Sequence, residues 1–271
     1  MKIFVDSAKL DDIKQARSYG MLDGVTTNPS LIKQAVEETK GGDIEEYIKN
    51  ILLVAEGTPV SLEVVGSTYD DMVKEGKKLY ELFNPVAGNV VVKIPVNPAF
   101  EENAENSFDG IRAIRELSNS GTPVNTTLIF TPEQALLAAK AGAKMVSPFA
   151  GRIDDYLRKQ VSLSFEKSDY FPASGWEMEQ NVLEDNGIVS GIDLVEQCVA
   201  ILSSYNLQTE VLAASLRNPR QVREAALAGA DIATLPLSVI KDLLSHYKTR
   251  EGMAKFTQDV VAEYADLIKG K

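Results

Sequence analysis

Val90-Val91-Val92-Lys93-Ile94-Pro95 and, further along, Val124-Asn125-Thr126-Thr127-Leu128-Ile129-Phe130 are two short, largely apolar and β-branched runs. Between them, Asn106–Asn119 carries apolar residues at three- and four-residue spacing, the period of a helix that buries one face. Apolar run, amphipathic helix, apolar run is a βαβ unit, in which a parallel sheet is covered by helices and its strands read as continuous hydrophobic stretches.

The same alternation continues in both directions. The remaining strand candidates are Ile3–Asp6, Gly24–Thr27, Val60–Val65, Met145–Phe149, Glu210–Ser215 and Asp231–Leu235. Helical patterns cover Asp11–Tyr19, Asp43–Ala55, Tyr69–Phe83, Pro132–Ala141, Gly191–Tyr205, Pro219–Ala228 and Pro236–Tyr247, and Gly252–Ile268 reads as an extra C-terminal helix. Asn28-Pro29, Thr131-Pro132 and Asn218-Pro219 each put a capping side chain before a proline suited to a first helical turn. Gly142 and Gly229 are placed to end helices. Eight such units are the number that closes a barrel, and 271 residues suit one α/β barrel of about 250. A doubly wound open sheet is the competitor, but nothing after the first strand resembles its Gly-x-Gly-x-x-Gly turn. The expected fold is therefore α/β, a single (β/α)8 barrel in one domain over residues 1–271. One stretch breaks the rhythm: Tyr156–Asn186 is polar with interspersed aromatics. It predicts an enlarged loop after the sixth strand, either a surface insertion or an active-site wall.

Composition narrows the chemistry. Lys+Arg 28 against Asp+Glu 39 leaves a net charge of −11, which argues against a nucleic-acid or anionic-membrane partner. One cysteine, Cys198, excludes an internal disulfide and a cysteine metal cluster, and one histidine, His246, excludes a multi-histidine metal site. His246 reads as an ordinary residue of the last barrel helix. Proton traffic must then run through carboxylates, lysine, hydroxyls or bound water. No long apolar run is present, and Asp6 follows Met1 too closely for a signal peptide, so the expectation is a cytoplasmic protein.

Lys93 is the anomaly. An ammonium does not belong in a strand buried on both faces, and burial lowers a lysine pKa, as an amine nucleophile toward a carbonyl requires. The plainer alternative is a lysine snorkelling at a strand end. The other strand ends are polar too: Asp6, Asn28, Glu63, Asn125 with Thr127, Ser147, and Ser215 with Arg217. Each has a structural explanation by itself, such as capping by Asn28 or solvation of Arg152. Together, polar side chains interrupting apolar strands at one end of a barrel mark a site, because unpaired burial would be costly. Arg152, Arg217 and Ser215 suit a phosphate, whose oxygens match guanidinium forks.

Val25-Thr26-Thr27-Asn28-Pro29-Ser30-Leu31, Ser61-Leu62-Glu63-Val64, Val92-Lys93-Ile94-Pro95, Asn125-Thr126-Thr127-Leu128-Ile129-Phe130, Ser147-Pro148-Phe149-Ala150-Gly151-Arg152-Ile153 and Ala214-Ser215-Leu216-Arg217-Asn218 together resemble transaldolase, in the order and spacing of that family. The resemblance implies a Schiff-base transfer of a dihydroxyacetone unit between sugar phosphates, in the pentose phosphate pathway, with no metal and no cofactor. It implies that Lys93 forms the Schiff base and that Asp6 is the acid/base at the C4 hydroxyl. Glu63 and Thr127 would act through a catalytic water. Thr26, Asn28, Asn125 and Ser147 would hold the dihydroxyacetone portion, Arg152, Ser215 and Arg217 the phosphate, and Phe149 would line the pocket. The related fructose-6-phosphate aldolases, which release free dihydroxyacetone, have Gln at the Glu63 position and Tyr at the Phe149 position. Sugar phosphates and further copies of the chain, as a homo-oligomer, are the expected partners. A non-catalytic sugar-phosphate-binding barrel is the alternative from another class.

Overall fold

The structure is a computed structural model that describes residues 1–38, 43–178 and 181–270. Among the described residues there are ten strands: β1 (Lys2–Asp6), β2 (Gly24–Thr26), β3 (Val60–Glu63), β4 (Val90–Pro95), β5 (Val124–Ile129), β6 (Met145–Pro148), β7 (Glu177–Met178), β8 (Asn181–Val182), β9 (Glu210–Ala213) and β10 (Ile232–Leu235). Eight of them close into a parallel barrel in the order β1-β10-β9-β6-β5-β4-β3-β2. β1 pairs with both β2 and β10, so the sheet has no edge and the doubly wound alternative is excluded. Each of the eight candidate strands lies on one barrel strand.

The helices are α1 (Leu10–Ser18), α2 (Pro29–Glu38), α3 (Ile44–Val54), α4 (Tyr69–Ala87), α5 (Asp109–Asn119), α6 (Pro132–Ala141), α7 (Ala150–Gln160), α8 (Gly191–Ser204), α9 (Pro219–Leu227), α10 (Leu237–Asp242), α11 (Tyr247–Gln258) and α12 (Ala262–Lys269). Their starts carry the predicted caps. Thr131 and Gln134 form a reciprocal capping box with Pro132 in the first turn of α6, and Asn218 accepts from the Gln221 N–H at the start of α9. The apolar stripes of α1–α10 pack on the outer sheet face, where Val5, Ile13, Ile51, Leu52, Val92, Ile114 and Leu117 are buried, whereas α11 and α12 bury no residue. Burying each such aliphatic side chain is worth about 1.5–3 kcal/mol.

Three expectations change. Helix α7 follows β6 almost directly, so the irregular stretch begins only after Gln160 rather than at Tyr156. Its polar face had hidden the helical period. Within that stretch β7 and β8 form a small antiparallel hairpin, and residues 179 and 180 of the predicted loop lie outside the described residues. The C-terminal helix is two helices, broken at Asp259-Val260-Val261. His246 is not a helix-interior residue: its side chain accepts from the Lys248 N–H and caps α11. Among the described residues, no helix is long and apolar enough to cross a membrane.

Inside the barrel, period 2 decides what faces the axis. Phe4, Val91, Met145, Leu212 and Ile232 fill the lower interior as one apolar cluster. Gly24 makes room for it: a Cβ there would meet the Phe4 ring at 2.4 Å. Two residues further along the same strands come Asp6, Lys93, Ser147, Ala214 and Thr234, with Thr26 above Gly24. The floor is apolar and the layer above it carries the polar groups.

Candidate active site

That upper layer sits at the C-terminal ends of the strands, where the pocket opens. Of the residues singled out in the sequence, Asp6, Thr26, Asn28, Lys93, Ser147, Phe149, Arg152 and Ser215 line one cavity, together with Leu212, Ala214 and Thr234.

Lys93 is 6% exposed, so its amine is inside the barrel rather than snorkelling out. Glu63 and Lys93 are directly opposite across β3 and β4, and the Lys93 Nζ lies 3.0 Å from Glu63 Oε2. The same Nζ donates to the Thr27 carbonyl at 3.2 Å. On the other side, Asn125 is the register partner of Lys93. Its amide is fixed at both ends: Nδ2 donates to Ser61 Oγ at 3.1 Å, and Oδ1 accepts from Ser147 Oγ at 2.7 Å. Thr127, two residues on, is buried, and among the described residues its Oγ1 has no hydrogen-bond partner. An unpaired buried hydroxyl is costly unless a ligand or water meets it.

Asp6 faces Lys93 from β1. Its Oδ1 accepts from Thr26 Oγ1 at 2.8 Å, and Thr26 Oγ1 lies 2.5 Å from Thr234 Oγ1, so three polar groups form a chain along the cavity wall. Burial holds the Asp6 carboxyl above the ordinary carboxylate range. The Thr26 hydrogen bond and the charges of Lys93 and Arg152 oppose that shift without cancelling it. Asn28 serves two ends at once: its Oδ1 accepts from the Leu31 N–H in the first turn of α2, which leaves Nδ2 as a donor for the cavity.

At the rim, the Arg152 guanidinium lies 4.8 Å over the Phe149 ring, and Phe149 in turn packs edge-on against Phe130. Ser215 follows β9 with φ +62, a left-handed conformation that costs a non-glycine residue energy and marks a constrained position. Its carbonyl would lie 2.2 Å from a Cβ on Gly151, so only glycine permits this approach. Four predicted residues are not in the cavity lining: Glu63, Asn125 and Thr127, which sit beside Lys93 on β3 and β5, and Arg217. Arg217 lines an outer depression that also includes Arg152, and its guanidinium is held by both Asp155 carboxylate oxygens, at 2.5 and 2.7 Å.

Thr234, Ser61 and Asp155 were not singled out. Thr234 interrupts Ile232-Ala233-Thr234-Leu235 as Thr26 interrupts its own strand, which is the signal that finds it. Asp155 had no such signal, because its α7 surroundings are polar. An amine close to two carboxylates, with a set of buried hydroxyls and a cationic rim, has the groups for addition to a carbonyl and for the accompanying proton transfers.

The sequence profile of the family described as transaldolase/fructose-6-phosphate aldolase matches residues 3–268. The chain is 42% identical over 259 residues to a probable transaldolase of Desulfatibacillum aliphaticivorans, covering 96% of this chain and 97% of that protein. Probable transaldolases of Prosthecochloris aestuarii and Thermoplasma acidophilum are also 42% identical, covering 96% of this chain and 97% and 95% of theirs. With a closed eightfold barrel and a lysine buried in its upper layer, the chain belongs to the transaldolase/fructose-6-phosphate aldolase family.

Proposed function

We propose that the protein is a transaldolase: it transfers a dihydroxyacetone unit from a ketose phosphate, fructose 6-phosphate or sedoheptulose 7-phosphate, to an aldose phosphate through a Schiff base on Lys93, in the cytoplasm and in the pentose phosphate pathway. The observation that carries this reading is the Lys93 amine, buried, 3.0 Å from the Glu63 carboxylate and in one cavity with Asp6.

In this mechanism the Lys93 amine adds to the C2 carbonyl, and loss of water from the resulting carbinolamine forms the iminium. Glu63 exchanges the protons of these steps through a water held by Thr127, whose hydroxyl has no protein partner among the described residues. The iminium then accepts the electron pair of the C3–C4 bond as Asp6 takes the proton from the C4 hydroxyl. An aldose phosphate leaves and a three-carbon enamine stays on Lys93. C3 of the enamine attacks the aldehyde of the acceptor, Asp6 returns its proton to the new hydroxyl, and water releases the product ketose. Thr26, Asn28, Asn125 and Ser147 hold the hydroxyls of the three-carbon unit. Phe149 walls the cavity, and Arg152, Ser215 and Arg217 take the phosphate.

Glu63 and Phe149 favour transfer over the related aldolase chemistry, which uses Gln and Tyr at these positions. Incubation with fructose 6-phosphate, with and without erythrose 4-phosphate, separates the two. Transfer predicts sedoheptulose 7-phosphate and glyceraldehyde 3-phosphate in equal amounts with the acceptor, and only slow release of dihydroxyacetone without it. Rapid dihydroxyacetone release that ignores the acceptor would make the enzyme a fructose-6-phosphate aldolase.

A further inference from the structure

Arg217 is held in a way that leaves one of its two hydrogen-bonding edges for a ligand. A guanidinium offers two forks, Nη1 with Nη2 and Nε with Nη2. The Asp155 carboxylate takes the first, and the Lys167 carbonyl also accepts from Nη1 at 3.3 Å. Nε faces the first turn of α7, where a Cβ on Gly151 would come within 2.9 Å of it. That turn also carries Arg152 and packs on the Ser215 carbonyl.

The clamp is itself anchored. Asp155 sits one turn before Arg158 on α7, with 3.9 Å between their charged atoms. Arg158 is 2% exposed, donates to the Asp169 carbonyl at 2.8 Å, and is covered by the rings of Phe165 and Phe171. The segment so folded returns to the connection between β9 and α9, where its Ser168 carbonyl accepts from Asn218 at 3.2 Å. Of the aromatics that broke the sequence rhythm, Phe165 and Phe171 thus pack on Arg158, Trp176 packs edge-on against Phe171, and Tyr170 lies under Arg220; none of the four lines the inner cavity.

We propose that Asp155 is a positioning residue that presents the free Nε edge of Arg217 to the phosphate of the substrate, beside Arg152 and Ser215. The proposal rests on the phosphate assignment under Proposed function. Its sign is diagnostic. By charge alone a carboxylate this close opposes a phosphate, so removing it should tighten phosphate binding. Positioning predicts the reverse, because a misplaced fork loses its bidentate geometry.

Calorimetric titration with inorganic phosphate, alongside steady-state kinetics on fructose 6-phosphate and on unphosphorylated fructose, tests it. Asp155→Asn, close to isosteric, is expected to weaken phosphate binding by about tenfold and to raise the KM for fructose 6-phosphate by a similar factor. Its effect on kcat, and on kcat/KM for fructose, should be much smaller. Asp155→Glu should restore part of the loss, and Asp155→Asn should add nothing in an Arg217→Ala background. Unchanged or tighter phosphate binding, or an equal loss with both sugars, overturns the proposal. If the wild type turns over no ketose phosphate, the proposed function fails, while the phosphate titration still decides the role of Asp155.

Discussion

Lys93→Met is expected to lower kcat/KM for dihydroxyacetone transfer by about ten-thousand-fold or more, since removing a covalent nucleophile removes the whole route and not one contact. Methionine has a similar length and fills the apolar part of the lysine's path above Val91. The substitution leaves Glu63 without its ion-pair partner, at a half-buried position that water can reach. The thermal midpoint should therefore shift by no more than about 4 °C. An inactive but folded variant assigns the loss to chemistry. A variant that keeps more than a hundredth of wild-type activity would show that Lys93 is not the nucleophile. Steady-state kinetics with a calorimetric melt on the same preparation makes the measurement.

Asp6→Asn has the second-largest expected effect. The amide keeps the shape of the carboxylate and an acceptor for the Thr26 hydroxyl, but it cannot take the C4 proton. Loss of a general base costs about a hundred- to ten-thousand-fold in kcat. Because Lys93 is untouched, the Schiff base should still form and stall before cleavage, so borohydride should trap the intact six-carbon sugar phosphate in place of a three-carbon fragment. A three-carbon adduct forming at the wild-type rate would assign the proton transfer to another group.

The pH dependence follows from the raised pKa of Asp6. A base must be ionised, so the acid limb of the wild-type kcat/KM profile should lie above the ordinary aspartate range and disappear in Asp6→Asn. For stability the sign is the opposite of a salt-bridged carboxylate. The folded state binds this proton more tightly than the unfolded chain, so stability falls as pH rises from the unfolded value near 3.8 through the higher folded value. Asp6→Asn should accordingly be more stable than wild type at neutral pH, with the difference vanishing below pH 3.8.

Much of this site was legible because a barrel strand leaves few explanations for a polar side chain. Val90–Pro95 is apolar except at Lys93, and period 2 puts Lys93 above Val91 and puts Thr127 on the same axis-side face as Asn125. Thr234 obeys the same rule. Its signal in sequence, a polar residue in an apolar strand, is weak because threonine is also an ordinary strand former, and its contact with Thr26 is what ties it to the site. Arg217 shows where one-dimensional reading ends. Its presence at a strand end suggested a phosphate ligand, but its orientation depends on Asp155, which lies on a helix whose polar face resembled loop sequence. The aromatic residues of the 161–176 segment likewise follow no period, because they pack on scattered partners, Phe165 and Phe171 on Arg158, Tyr170 under Arg220 and Trp176 on Phe171, and not along one sheet or helix face. The C-terminal break at Asp259 has no proline or glycine to announce it.

The central claim, a Schiff base on Lys93, is tested most directly by mass spectrometry of the protein after incubation with fructose 6-phosphate and sodium borohydride, followed by peptide mapping of wild type and Lys93→Met. The predicted result is a reduced three-carbon adduct on the peptide that contains Lys93, absent from the variant. An adduct on another lysine, or none at all while fructose 6-phosphate binds, would contradict it.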